Sequence, residues 1–136
     1  MCNDINEQGF VPRLSRPADI DWHALTGGED SLGAFAVYLR FTRGIAIDER
    51  FRFSPDAMRA GDAREEAKLE VAYRLVVHEM VHQDQYELKA NGRGGHGASF
   101  IEIATPVADA LRMPAPTADT AKKWPDVSGL IAAFKL

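Results

Sequence analysis

From Ala63 to Ala90 the chain contains neither glycine nor proline, and this stretch constrains the fold more than any other. Those two residues interrupt helices most strongly, at costs of about 1 and about 3 kcal/mol relative to alanine. The segment opens with Glu65 and Glu66, acids that suit the positive end of a helix dipole, and carries Val71, Leu75 and Val81 among good helix formers. It predicts one long helix. Asn91-Gly92 supplies residues that adopt the left-handed conformation just past a helix end, and Arg93-Gly94-Gly95-His96-Gly97 then reads as a loop. With 136 residues in all, the rest of the chain fits one domain, residues 1–136, organised around this rod.

Upstream of it, Phe35, Val37, Leu39 and Phe41 alternate with Ala36, Tyr38, Arg40 and Thr42, the period of two that marks a half-buried strand. The large members of that set are assigned to the core, together with Phe51 and Phe53. These last two alternate with Arg50 and Arg52 after Gly44 and run into Ser54-Pro55, where proline ends a strand. The two alternations predict an antiparallel hairpin. In the first thirty residues Asn, Asp, Gly and Pro are frequent, and the run from Ile20 to Leu25 predicts at most a short helix before Thr26-Gly27-Gly28. Downstream, Phe100, Ala104, Val107 and Leu111 recur at helical spacing, with Pro106 expected to kink that helix or restart it behind Thr105 as a cap. Leu130 to Phe134 offers a last short helix. The expected fold is α+β: a small, mainly antiparallel sheet packed on the long helix.

Composition narrows the function. At 46% hydrophobic and 26% charged residues, the chain can bury a core, which argues against wholesale disorder. No apolar run approaches the roughly 20 residues of a membrane helix, and Asp4, Glu7, Arg13, Arg16 and Asp19 interrupt any signal-peptide core. Cys2 is the only cysteine, so neither an internal disulfide nor a cysteine-built zinc knuckle can form. That fits a reducing compartment, with the cytoplasm as the expected location, and restricts a metal site to His and carboxylate ligands. A formal charge of −4 is a poor start for a nucleic-acid binder. Arginines 40, 43, 50, 52, 59 and 64 nevertheless cluster on the chain. Arg40, Arg50 and Arg52 fall opposite the apolar side of the hairpin, where a shared basic surface would give DNA or an acidic peptide only a weak, salt-sensitive hold.

The chemistry lies on the long helix, in His78-Glu79-Met80-Val81-His82. Histidines four apart share one helix face and can chelate one ion, while Glu79 stands to the side, where a carboxylate can hold a water and accept its proton. Zinc is the expected ion, because imidazole suits it and three protein ligands leave a fourth position for water. Two residues are candidates for the third ligand. His96 follows after thirteen intervening residues, among small residues that let the backbone approach, with Phe100 placed to anchor the loop. Glu102 follows after nineteen, a spacing similar to the thermolysin-like pattern, but Pro106 stands where that pattern has a further acid. His96 is preferred and Glu102 is the alternative. The metzincin extension is absent, since Gln85 and Leu88 occupy its glycine and histidine positions. His23, beside Trp22, has no metal-like spacing to the others.

A helix with His78-Glu79-Met80-Val81-His82, then a short loop and Gly95-His96-Gly97-Ala98-Ser99-Phe100, resembles the SprT-like zinc metallopeptidase family. The resemblance spans about Arg52 to Leu111 and includes the approach through Phe53-Ser54-Pro55. It implies a minimal zincin-like domain, Zn2+ held by His78, His82 and His96, Glu79 as catalytic base, and a polypeptide as substrate. Longer members carry a cysteine-rich zinc ribbon or a DNA-binding tail; neither is present up to Leu136, so DNA-coupled proteolysis is not the leading expectation. The leading expectation is a zinc-dependent endopeptidase. Its alternatives are a catalytically idle, zinc-stabilised binding or accessory protein, and a DNA-associated protease. Arg93 and Tyr86 are the positions from which a second oxyanion donor is expected.

Overall fold

The computed structural model of the chain describes residues 19–23, 35–39, 44–87 and 95–136. Strands β1 (Asp19–His23), β2 (Ala36–Leu39) and β3 (Gly44–Asp48) form one sheet in the order β1-β3-β2. β1 runs parallel to β3, with Asp19 opposite Gly44 and His23 opposite Asp48. β2 runs antiparallel to β3, with Ala36 opposite Ile47 and Leu39 opposite Gly44. The sheet is therefore mixed rather than mainly antiparallel, and the correction comes from β1, which sequence reading made a short helix at most. Its partner lies far along the chain, so local composition does not disclose the pairing that makes it a strand.

Two further corrections concern the expected hairpin. Its second strand is Gly44–Asp48, while Glu49–Phe51 forms a 3-10 turn capped by Asp48, whose Oδ1 accepts the Arg50 N–H at 3.0 Å. Every residue of β3 is buried, so this central strand has no alternation to read, as expected for a strand covered on both faces. In β2 the faces are also exchanged. Ala36 is fully buried, whereas Val37 and Leu39 are 37% and 44% exposed. A small residue on the inner face lets the long helix approach the strand closely. Phe41, Arg40 and Arg43 lie outside the described residues.

Helix α1 (Pro55–Arg59) starts with proline where no N–H is needed, and Ser54 Oγ accepts the Ala57 N–H at 3.2 Å. The long helix α2 (Ala63–Glu87) forms as expected. Asp62 Oδ1 accepts the N–H groups of Arg64 and Glu65, at 3.0 and 3.3 Å, which satisfies two of its unpaired donors. The Asn91-Gly92 stop lies outside the described residues. Helix α3 (Ala98–Leu111) continues through Pro106; Thr105 does not cap a new helix but donates from Oγ1 to the Ile101 carbonyl at 2.7 Å. Helix α4 (Ser128–Phe134) closes the fold, and Arg64 at the start of α2 donates to the carbonyls of Phe134 and Lys135 at 3.3 and 3.1 Å.

The core gathers around α2. Ala36, Ile45, Ile47 and Phe51 come from the sheet side, Phe100, Ala104 and Val107 from α3, and Ala121, Trp124 and Val127 from the segment before α4. From Leu75 to Val81 every residue of α2 is buried. A helix enclosed in this way is ordinarily apolar all round, yet His78 and Glu79 stand inside that run, with Gln83, Asp84 and Gln85 buried just beyond it. Polar groups in such a place destabilise the fold unless they are bonded. Their position singles out this stretch of α2 as the candidate site. Among the described residues no helix is long and apolar enough to cross a membrane.

Candidate metal centre

His78 and His82 are one turn apart on α2, and the loop before α3 brings His96 to them. Phe100, in the first turn of α3 and fully buried, is the anchor expected of it. Its ring centroid lies 4.9, 5.0 and 5.2 Å from those of His78, His82 and His96. The three Nε2 atoms form a triangle with each side 3.1 Å. Among the described residues these histidines are the one His/Cys/Asp/Glu group compact enough to hold a metal ion.

Which nitrogen each imidazole offers follows from its other partner. His78 Nδ1 is 2.5 Å from the main-chain oxygen of Trp124, and His82 Nδ1 is 2.6 Å from Oε1 of Gln85. Both partners are carbonyl oxygens and can only accept, so each Nδ1 carries the proton and each Nε2 turns a lone pair toward the triangle. Lone pairs brought this close repel one another in the absence of a cation. Ligand nitrogens about 2.0–2.1 Å from a tetrahedral ion stand roughly 3.3 Å apart, close to the observed spacing. The donor set thus fits a metal ion, and the carbonyls behind two of the rings are the supports that metal-binding histidines ordinarily have.

Electrostatics prepares the same state. Burial, then the neighbouring His82, brings His78 down from 6.5 to about 3, against the Trp124 carbonyl. His82 is lowered to about 4, mainly by burial, against its bond to Gln85. His96 is lowered by burial and by the charge of Lys122. Neutral imidazole is the form that ligates, so the rings need shed no proton near neutral pH. Glu79 is only 3% exposed. Burial pushes its carboxyl up from 4.5 to about 8, opposed by the N–H that Tyr38 of β2 donates to it.

One cleft of about 250 Å³ joins the three histidines, Glu79, Tyr38 and Tyr86. The tyrosines stack at 5.9 Å between centroids, 25° between planes. Sequence reading placed His78, Glu79, His82 and His96 together, and the structure brings all four to this cleft. Glu102 sits exposed on α3 outside the group, so the alternative third ligand is not assembled. Tyr86 lines the cleft; Arg93 and the side chain of His23 lie outside the described residues. The basic surface is partly engaged elsewhere. Arg50 is 3.7 Å from Asp48 and lies over the rings of Phe35 and Phe51 at 5.0 and 5.6 Å, while Arg59 pairs with Asp56. A larger cleft of about 530 Å³, lined by Met113, Pro114, Trp124 and Pro125, has no histidine in its walls.

Three contributors escaped sequence reading: Gln85, the Trp124 carbonyl and the Tyr38 N–H. For Gln85 a signal existed, because a polar residue three positions after His82 shares its helix face. The other two are main-chain groups, and no side-chain pattern announces them. Compared with family models, with curated proteins and with solved structures, the chain gives no match.

Proposed function

We propose that the chain is a zinc-dependent endopeptidase of the SprT-like, zincin-like kind, with His78, His82 and His96 as ligands and Glu79 as general base. The observation that carries this reading is the convergence of three imidazole nitrogens, two of them held as bare lone pairs, beside one buried carboxyl. Three neutral imidazoles suit zinc, and a three-ligand set leaves a position open. When bound, zinc supplies Lewis-acid polarisation of a carbonyl and lowers the proton affinity of water.

The remaining work falls to the chain. A carboxylate in a dry pocket is a strong base; burial raises the proton affinity of Glu79 in the metal-free protein, and a cation held by the three histidines would favour its ionised, proton-accepting form. The Tyr38 N–H bonds to that carboxylate and orients it. Glu79 accepts a proton from the attacking water and returns it to the departing amine, so one residue serves both halves of peptide hydrolysis. β2 stands at the edge of the described sheet, and Val37 and Tyr38 contribute to the cleft wall. An extended polypeptide laid along that strand brings one carbonyl over the histidines.

Glu79→Gln tests the assignment. The amide keeps the shape but accepts no proton, so zinc content stays near one per chain and cleavage of an unfolded protein falls by about 10²-fold or more. Equal cleavage by the zinc-loaded variant removes Glu79 from the mechanism. A zinc-loaded wild type inert toward a broad panel of unfolded proteins favours instead an idle, zinc-stabilised accessory role or a latent protease.

A further inference from the structure

We infer that Gln85 is a positioning residue that governs the metal centre from outside it: one amide fixes which nitrogen His82 presents and latches the loop that delivers His96. Gln85 is fully buried on α2. Its Nε2 donates to the Gly95 carbonyl at 3.1 Å and to Ser99 Oγ at 2.9 Å, and its Oε1 faces His82 Nδ1 at 2.6 Å. These contacts order one another. The Gly95 oxygen can only accept, so the amide nitrogen must face it. The amide oxygen must then face His82, and a carbonyl oxygen there requires the proton on Nδ1 and leaves Nε2 bare. The orientation of a loop carbonyl next to the third ligand thereby sets the tautomer of the second.

The two ends of the latch repeat one spacing. Gln85 follows His82 by three residues and Ser99 follows His96 by three, so each of these candidate ligands carries a partner three positions on, one along α2 and one in the first turn of α3, and the partners bond to each other. Closing the loop and preparing His82 are consequently one event. Metal binding is linked to both, because an ion that needs Nε2 of His82 and Nε2 of His96 favours the latched state. The inference rests on the three-histidine site holding a metal; it does not require peptide hydrolysis.

The test compares wild type, Gln85→Met, Gln85→Glu and Ser99→Ala, using zinc affinity by chelator competition, amide hydrogen exchange over residues 95–99, and the His82 tautomer from imidazole ¹⁵N shifts of metal-free protein. Gln85→Met removes every contact: His82 becomes a tautomer mixture, exchange accelerates, and zinc affinity falls about 10- to 100-fold, the usual cost of losing a ligand's support. Gln85→Glu keeps an acceptor for His82 but sets an oxygen against the Gly95 carbonyl, so the tautomer survives while the loop exchanges faster. Ser99→Ala removes one arm, leaves the tautomer as it is, and weakens zinc binding by less than about tenfold, as for a single hydrogen bond. It also covers the case in which Gln85→Met fails to fold. The inference is overturned if folded Gln85→Met keeps the wild-type tautomer and zinc affinity, or if Gln85→Glu and Ser99→Ala both leave loop exchange unchanged. A wild type that binds no zinc defeats the metal-centre reading instead, and tautomer and exchange in the metal-free proteins still decide the latch.

Discussion

A buried histidine and a buried carboxyl respond to pH in opposite senses, and α2 places both kinds one residue apart. In the metal-free protein His78 and His82 sit near 3 and 4 instead of 6.5, and His96 is lowered as well. The unfolded chain therefore binds protons more readily, and the stability these groups allow is complete above 6.5 and lost as pH falls toward their folded values. Glu79 is raised from 4.5 to about 8, so its contribution is present at low pH and lost as pH rises through that value. Between about 6.5 and 8 Glu79 acts alone, and below 6.5 three histidines outweigh it. Thermal melts in excess chelator should show a maximum near pH 6.5 with a decline on both sides. Stability that climbs steadily from 6.5 to 8 would mean that Glu79 is already ionised in the fold.

At the scale of elements, α2 and the existence of β2 with an antiparallel partner were legible, whereas β1, the place of β3 and the facing of β2 were not, for reasons of locality. A helix is set by neighbours in sequence, and Ala63 to Glu87 contains the information for its own formation. Strands borrow theirs. β1 depends on β3 for pairing, β3 shows no alternation because both faces are covered, and β2 turns its smallest residue inward to admit α2. The candidate ligands were legible because spacing on a helix fixes direction, and because His96 stands in a short loop ahead of Phe100. Pro106 carries a separate lesson. Helix α3 tolerates it at mid-length, although proline offers no N–H to the turn before it and crowds the carbonyl four residues back. Pro106→Ala should therefore raise stability by about 1–3 kcal/mol in urea unfolding, with zinc content unchanged. A loss of stability would show that the proline ring's packing outweighs the missing hydrogen bond.

For the whole molecule, core and candidate metal site are the same place. Phe100 touches all three histidine rings and lies 6.1 Å from the Trp124 ring, so it joins α3, the ligands and the C-terminal segment. Phe100→Ala should cost about 3–5 kcal/mol, the range for emptying a buried aromatic position, and weaken zinc binding at the same time. Zinc at 100 times its dissociation constant should stabilise wild type by about 2.7 kcal/mol and the variant by less at the same zinc concentration. Calorimetry with and without zinc measures both, and a variant that keeps the full zinc-induced shift would separate the core from the site.

The Trp124 carbonyl that holds His78 is 46 residues further along the chain. During synthesis from the N-terminus, both histidines of α2 and the loop with His96 are made well before it. Until residue 124 has been added and has docked beside α2, His78 Nδ1 lacks the carbonyl that receives its proton. The three-histidine group is therefore complete in its supports only once a segment that brings no histidine to it has docked.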